Sequence, residues 1–563
     1  MRLLLLAVPA AVSLVSLLLA LTGRAGAGPR LPAPDLTLYI TAEVHGFPEP
    51  CGCTSTPLGD VARVVALVRA AGARGLLLDA GGLRYDEGVP VAGSKGRQAR
   101  LKADFLERTY REAGAVLGLQ PEDLLGGIGE LKGADRLAAN LRVPGLSLGR
   151  TVLREVSGVR IGVLGLVDPA GPWPPGSQAS DPRAAAVQAV AALRTAGAQL
   201  IVALTGLERP EARRLAAAVD GLDVVVAGNR VGDGMEDPDL VERHRPDGRT
   251  NLALVVVPAR EAQRVVVLDV HLAPNGQPVL RYHPDAQAQA REAARRGRQV
   301  QQLEEQLRTL RATADADPAF VRRIQQELAA ACQALEAARR PQAPPAGGYV
   351  TMRLMPVGRG LERDPAVAQA MAALDRRIGD DNLRQVKAPP PPSPPGQPGY
   401  VGNTACQGSC HQHDAAHAQW QTTAHARAWR TLLEAGKQYS YDCVRCHVTG
   451  FEMPGGANLW TLAVLQGTRR SPRPLPELRN VGCEACHGPG SLHVASPARH
   501  DIPVPSPGVE RCLDCHTKDH SDTFDLVPYL RDILGRGHGE EARQALGPGP
   551  TGAELRRAAQ SRH

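Results

Sequence analysis

Residues 443–447 read CVRCH, 483–487 read CEACH and 512–516 read CLDCH. Two cysteines separated by two residues stand about one helical turn apart, so each can form a thioether with one vinyl group of a haem. The histidine that follows then points its imidazole at the iron as the proximal ligand. With 11 Cys and 16 His in 563 residues, chance would supply roughly 0.006 such matches. Three matches therefore decide the reading of this region. A zinc ribbon needs paired CxxC motifs but has no use for a histidine after every pair. The expected attachment residues are Cys443, Cys446, Cys483, Cys486, Cys512 and Cys515, with His447, His487 and His516 as proximal ligands.

A fourth segment, CQGSCH at 406–411, has three residues between its thiols. A loop eased by Gly408 lets both sulfurs reach the vinyls, which makes Cys406, Cys410 and His411 a fourth site and the expected cofactor four haem c groups. The alternative there is a single thioether, or a thiol pair without haem. Eight of the eleven cysteines fall between 406 and 515, and twelve of the sixteen histidines fall in 402–563. Cysteine enriched together with histidine points to metal or haem rather than to disulfides. Four haems in about 140 residues leave some 35 residues each, so the porphyrins would form most of that core. Beyond the proximal ligands remain His413, His417, His425, His493, His500, His520, His538 and His563. An iron given a second histidine is low-spin and suited to electron transfer, whereas one without it is open to a small molecule.

The runs CHQHDAAHAQWQTTAHARAW (410–429), CVRCHVTGF (443–451), NVGCEACHGPGSLH (480–493) and CLDCHTKDHSDTF (512–524) resemble, in order and spacing, the tetrahaem cytochrome c family of ammonia oxidisers. The best-known member of that family accepts electrons from hydroxylamine oxidoreductase. The resemblance implies that His425 and His493 are distal ligands, that His520 or His417 is a third, and that one haem lacks a strong distal ligand. His413, His500 and His538 are read as solvent-facing. The chain departs from the family in the CxxxCH spacing of its first site.

Outward from this region, residues 388–399 are a Pro-rich, semi-rigid linker. Residues 285–387 are read as a helical connector whose last stretch, GYVTMRLMPVGRGLERDPAVAQAMAALDRRI (348–378), reads as a strand followed by a helix. Within it, Val300, Leu303, Leu307 and Leu310, and then Val321, Ile324, Leu328, Ala331 and Leu335, recur at helical spacing, with Asp317-Pro318 starting the second helix. This hairpin is a spacer or, alternatively, a dimerisation arm. The expected cytochrome domain spans 400–540, and 541–563 form a tail.

Residues 36–284 alternate β-branched runs with helical ones. LTLYITAEVHG, GLLLDAGG, RIGVLGLVD, QLIVALTGL, DVVVAG, NLALVVV and QRVVVLDVHL read as strands, while DVARVVALVRAAGA and DPRAAAVQAVAALRTAGA read as amphipathic helices. The phrases LTLYITAEVHGFPEPCGC, LLLDAGG, GVLGLVDP, IVALTGL and VVVAGNR resemble the periplasmic 5'-nucleotidase family of metallophosphoesterases, which implies a layered α/β sandwich. That family holds two metals that activate water. Here Glu43 stands where its first Asp belongs, His45 is kept, Gly82 replaces a second Asp, and Gln120-Pro121 replace an Asn-His pair. Gly206 and Asn229-Arg230 occupy the later histidine positions. The expectation is a degenerate domain kept as scaffold or docking surface, with metal-dependent phosphoester hydrolysis as the alternative. Asp79, at a strand end, is read as structural. Cys51 and Cys53 lie beside His45 and are read as inert or partnered thiols, a redox pair or metal site being the alternative.

Residues 1–27 form an apolar run from position 3 to 21 followed by an Ala25-Gly26-Ala27 cleavage site. They are read as a signal peptide, or as an uncleaved anchor. The expected location is periplasmic or otherwise extracytoplasmic, with association to the inner membrane if the segment is retained. A net charge of +7, with aromatics at only 3%, gives no support to nucleic-acid binding. The expected function is electron transfer between redox partner proteins. An alternative is an oxidoreductase acting on a small nitrogen or sulfur compound at a five-coordinate haem.

Overall fold

A computed structural model describes residues 31–50, 52–88, 92–131, 135–228, 232–244, 250–313, 317–407, 415–499 and 502–561. The expected signal segment, Cys51, Asn229-Arg230, Cys410, His411, His413, His500 and His563 lie outside the described residues.

The N-terminal part is a four-layer α/β sandwich. One sheet has the order β13-β12-β1-β2-β3, formed by Tyr349–Pro356, Arg264–His271, Leu36–Thr41, Gly75–Asp79 and Val116–Leu117. The other has the order β10-β11-β9-β8-β6-β5, formed by Asp239–His244, Thr250–Val256, Val224–Val226, Leu200–Thr205, Val159–Leu166 and Thr151–Val156. The period of two in the strands sorts their side chains between layers. Leu36, Leu38 and Ile40 of β1 join Leu268 and Val270 of β12 and Val202 and Leu204 of β8 in the core between the sheets. Tyr39, one residue out of phase, instead faces α1 (Val61–Ala71) and α2 (Gly93–Glu112). Ile201 and Ala203 turn to the opposite side, against α3 (Pro182–Thr195) and α4 (Arg209–Ala218). The α/β fold class expected from the sequence is thus present, and each of the seven quoted strand phrases contains a strand. The two helices foreseen start on Asp60 and Asp181, whose side chains accept helix N–H groups.

α5 (Ala286–Ala312) and α6 (Pro318–Arg339) form the expected helical hairpin, with the Asp317 carboxylate accepting the Ala319 N–H. The connector, however, does not extend to 387. Strand β13 pairs with β12 along its whole length, from Arg264↔Pro356 to His271↔Tyr349. α7 (Pro365–Gln385) buries Val367, Met371, Leu374 and Ile378 on the outer face of the first sheet. Residues 349–385 therefore complete the α/β layers. Their pairing partner lies some 85 residues upstream and leaves no local mark in the sequence.

The C-terminal part is a set of short helices around one small apolar cluster that includes Trp429, Leu432, Val444, Leu459, Leu462 and Leu478. The expected tail is packed: Gly552–Gln560 lies on Leu526–Ile533, and Arg556 donates to the carbonyls of Gly52 and Thr54. The two parts meet at a polar joint. Lys437 pairs with Glu49 at 2.8 Å and with Asp375 at 3.0 Å. The Asp522 carboxylate accepts both the Ser55 N–H, at 2.8 Å, and the Ser55 hydroxyl. Among the described residues no helix is long and apolar enough to cross a membrane.

Candidate functional site

The CxxCH segments sit on single helical turns, as their spacing requires. Cys483–His487 is one turn of helix, Cys443 lies on Tyr441–Val444 with Arg445–His447 following as a 3₁₀ turn, and Cys512 lies on Val509–Leu513. Cys406 ends the short helix Asn403–Cys406. The third turn is locked to the first: Asn403 Oδ1 accepts the Cys483 N–H at 3.1 Å. A Cβ on Gly482 would collide with that oxygen, so only glycine fits there without a shift.

The three described proximal candidates share one geometry. His447 Nδ1 lies 2.7 Å from the Ala428 carbonyl, His487 Nδ1 lies 2.8 Å from the Val504 carbonyl and His516 Nδ1 lies 3.0 Å from the Ser521 hydroxyl. A carbonyl only accepts, so Nδ1 of His447 and His487 carries the proton and Nε2 keeps its lone pair. That tautomer is the one a metal takes, with the outer hydrogen bond fixing the ring. Burial holds His447, His487 and His516 below the usual imidazole range. His425 is driven down to about 4 by burial, with the neighbouring His516 and His447 adding to the effect. Each ring is thus kept neutral, which is its ligating form.

Two further imidazoles face this set. His425 lies opposite His516 with ring centroids 6.1 Å apart, and His538 lies opposite His487 at 6.0 Å. Rings bonded at about 2 Å on opposite sides of one metal place their centroids about 6 Å apart, so both pairs fit bis-imidazole ligation. His425 is where the resemblance implied a distal ligand. His538 was read as solvent-facing and is not: it folds back beside His487, its Nδ1 3.2 Å from the Ile533 carbonyl. Its position depends on the docking of a segment some 50 residues downstream, and no local signal marks it. His417 Nδ1 lies 2.7 Å from Gln407 Nε2 and its ring lies near Trp420. His520 meets the Thr517 hydroxyl at 2.9 Å on the surface. His493 sits on Ser491–Ala495 beside the third motif.

The thiols interlock across motifs. Cys406 is hydrogen-bonded to Cys483 and Cys515 to Cys446, and these contacts together with burial push the Cys406 and Cys515 thiols up. Cys486 is raised by burial and then by Cys512 and Cys483 beside it. The attachment motifs thus form a row of neighbours, 443–447 beside 512–516, then 483–487, then 406. Soft thiols on helical turns together with neutral, oriented imidazoles are a donor set that fits haem c.

The α/β part arranges its own polar residues differently. Glu43 is buried against Gly82 and Gly228, and the Gln120 side chain fills the space beside Gly82 and Gly206. The Asp123 carboxylate is taken up by the N–H groups of Gly82, Leu83, Arg84 and Gln120, at 2.9 to 3.1 Å, and by Arg136. His45 approaches Asp86, at 3.8 Å. Among the described residues no group of three or more His, Cys, Asp or Glu is placed to hold a metal ion.

Asp79 is fully buried, accepting the Thr41 hydroxyl at 2.7 Å and the Gly81 N–H at 2.9 Å. Burial raises its pKa to about 7. The unfolded chain ionises this carboxyl near pH 3.9. Its contribution is therefore fully present below that pH and lost as pH rises towards 7, a difference of about 4 kcal/mol at most. Asp79→Asn is expected to unfold at nearly the same denaturant concentration as the parent at pH 4.5 and to be clearly more stable at pH 8. Equal shifts at both pH values would contradict this.

Residues 405–488 match the family described as cytochrome c554 and c-prime. Cytochrome c-554 of Nitrosomonas europaea is 38% identical over 107 residues, which cover 16% of this chain and 39% of that cytochrome. The chain therefore spans about two fifths of the length of this relative. Among solved structures, a 5'-nucleotidase precursor from Thermus thermophilus is 20% identical, with a TM-score of 0.41 covering 63% of this chain and 61% of that one. The sulfate thiohydrolase of Thermus thermophilus is 14% identical, with a TM-score of 0.40 covering 64% and 63%. A calcineurin-like phosphoesterase from Bacillus subtilis is 19% identical, with a TM-score of 0.34 covering 43% and 87%. The chain joins a cytochrome c554-like region to an α/β part whose structural neighbours are 5'-nucleotidases and calcineurin-like phosphoesterases.

Proposed function

We propose that this protein is an exported multihaem c-type cytochrome that passes electrons along a row of covalently attached haems. The cytochrome match supports covalently bound haem c, electron transfer and action with redox partner proteins. The observation that carries the multihaem reading is the set of CxxCH turns whose histidines are each oriented through Nδ1, with Cys446 at Cys515 and Cys406 at Cys483 linking neighbouring motifs. Cys406 and Cys410, Cys443 and Cys446, Cys483 and Cys486, and Cys512 and Cys515 hold four groups. His411, His447, His487 and His516 are the proximal ligands. Haem supplies a one-electron couple when bound, at a potential set by axial ligands and burial. The chain's own residues do the rest: Ala428, Val504 and Ser521 orient the proximal rings. His425 and His538 would supply the second imidazole to groups held by His516 and His487.

A second reading is favoured at one site. Among the described residues no ring pair like that of His425 with His516 occurs at His447, and an iron held there without a second imidazole would be open to a small nitrogen or sulfur compound. Entirely low-spin iron in the spectrum of the oxidised protein would exclude this reading.

The intact mass of the exported protein, produced with a haem-maturation system, tests the proposal by counting attached haems. Four are expected, and the new N-terminus would show whether cleavage follows Ala27. Three would make Cys406 and Cys410 ordinary thiols, and none would end the electron-transfer reading.

A further inference from the structure

We infer that the α/β part is a working wall of the 443–447 haem site, with Gln98 as a positioning residue that caps the attachment helix from outside the cytochrome region. This rests on the electron-transfer reading above. Helix Tyr441–Val444, which carries Cys443, is only four residues long, and its N-cap residue Ser440 makes no side-chain capping bond of its own. A helix start leaves backbone N–H groups without intrahelical partners. Here the first is satisfied from across the joint: Gln98 Oε1, on α2, accepts the Tyr441 N–H at 3.1 Å. Its other end, Nε2, lies 3.2 Å from the Ser440 hydroxyl.

Gln98 is itself held. Asn382 Nδ2, on α7, donates to Gln98 Oε1 at 3.0 Å and to the Tyr439 carbonyl at 2.9 Å. Gln98 and Asn382 are 2% and 1% exposed, so water does not substitute for either. The Cys443 N–H in turn bonds the Ser440 carbonyl at 3.1 Å, which passes the position of the cap directly to the first attachment thiol. The Lys437 pairs with Glu49 and Asp375 pin the stretch of chain entering this turn. Two helices and a loop of the α/β part therefore set where the second motif begins. The α/β part thus acts on the cytochrome region of its own chain, at the 443–447 motif.

The test uses the full-length, haem-loaded protein with Gln98→Met, which keeps the volume and loses the side-chain hydrogen bonds with Tyr441, Ser440, Asn382 and Asp442, and Gln98→Glu, which keeps an acceptor for the Tyr441 N–H and lets the Ser440 hydroxyl donate. Two readouts are taken: hydrogen exchange at the Tyr441 amide, and the midpoint potential of each haem, with the His447 component assigned by a His447→Met variant. Gln98→Met is expected to speed Tyr441 exchange at least tenfold. It should also change the reduction equilibrium of the His447 haem about tenfold, or 59 mV for one electron, with the other haems unmoved and Gln98→Glu restoring the Tyr441 exchange. Unchanged exchange, a shift shared by all haems, or a failure of Gln98→Glu to restore would overturn the inference. A wild-type protein without haem would instead sink the electron-transfer reading, leaving Tyr441 exchange to judge the cap.

Discussion

His425→Ala is expected to convert one haem of this protein from low-spin to high-spin while leaving the number of attached haems unchanged. The thioether cysteines and His516 are untouched by the change, so attachment proceeds. The ring that faces His516 at 6.1 Å is removed, and an iron held by His516 would be left without a second imidazole. The neighbouring imidazole His447 belongs to its own motif, whose site takes its Nε2. The expected signature is a high-spin component equal to one haem in the oxidised spectrum, with a raised affinity for small ligands such as cyanide. The same change at His538 should open the iron at His487. His520→Ala, at a surface ring bonded to the Thr517 hydroxyl, should open none. If His425→Ala stays wholly low-spin, the pairing with His516 is not the ligand pair.

The second large effect concerns Glu484, inside the CEACH motif. Its carboxylate is 2% exposed and accepts the N–H groups of Val401 at 3.0 Å, Gly402 at 2.7 Å and Gly490 at 2.8 Å. It thereby ties the segment entering the first motif to the loop after the third. Glu484→Ala leaves these backbone donors buried without an acceptor. At about 1–3 kcal/mol each, the loss is on the order of 3–9 kcal/mol, a large share of a typical folding free energy. The variant is expected to accumulate poorly and to miss haems at 406–411 and 483–487, while the pair at 443–447 and 512–516 is retained. The intact mass checks this directly. Glu484→Asp, too short to reach all three donors, should fall between the parent and the alanine variant. Full haem loading of Glu484→Ala would show that the tether is dispensable.

Local chemistry made the candidate attachment residues legible, because thioether spacing is a property of one helical turn and is written in five consecutive residues. The seven strand phrases were legible because burial on both faces demands long runs of Val, Leu and Ile, and Asp60, Asp181 and Asp317 announced their helices by capping them. Strand β10 was not foreseen. Its LVERH pattern is half polar, since it lies at the sheet edge with one side in solvent. Helix α2 was not foreseen either, because its charged sequence hides a narrow buried face of Phe105, Leu106 and Tyr110.

By itself the sequence determined what needs only residues near one another in the chain: the CxxCH turns, the α/β alternation and the helical hairpin. The tertiary structure alone decided which distant groups meet. It placed β13 and α7 in the α/β layers, His538 opposite His487, Cys446 against Cys515, and Gln98 at the start of the helix that carries Cys443. The physical reason is range. A turn or a motif is selected by bonds across a few residues, whereas a facing imidazole or a cap supplied from another layer is selected by the packing of the whole chain, which fixes the positions of residues tens to hundreds of places apart.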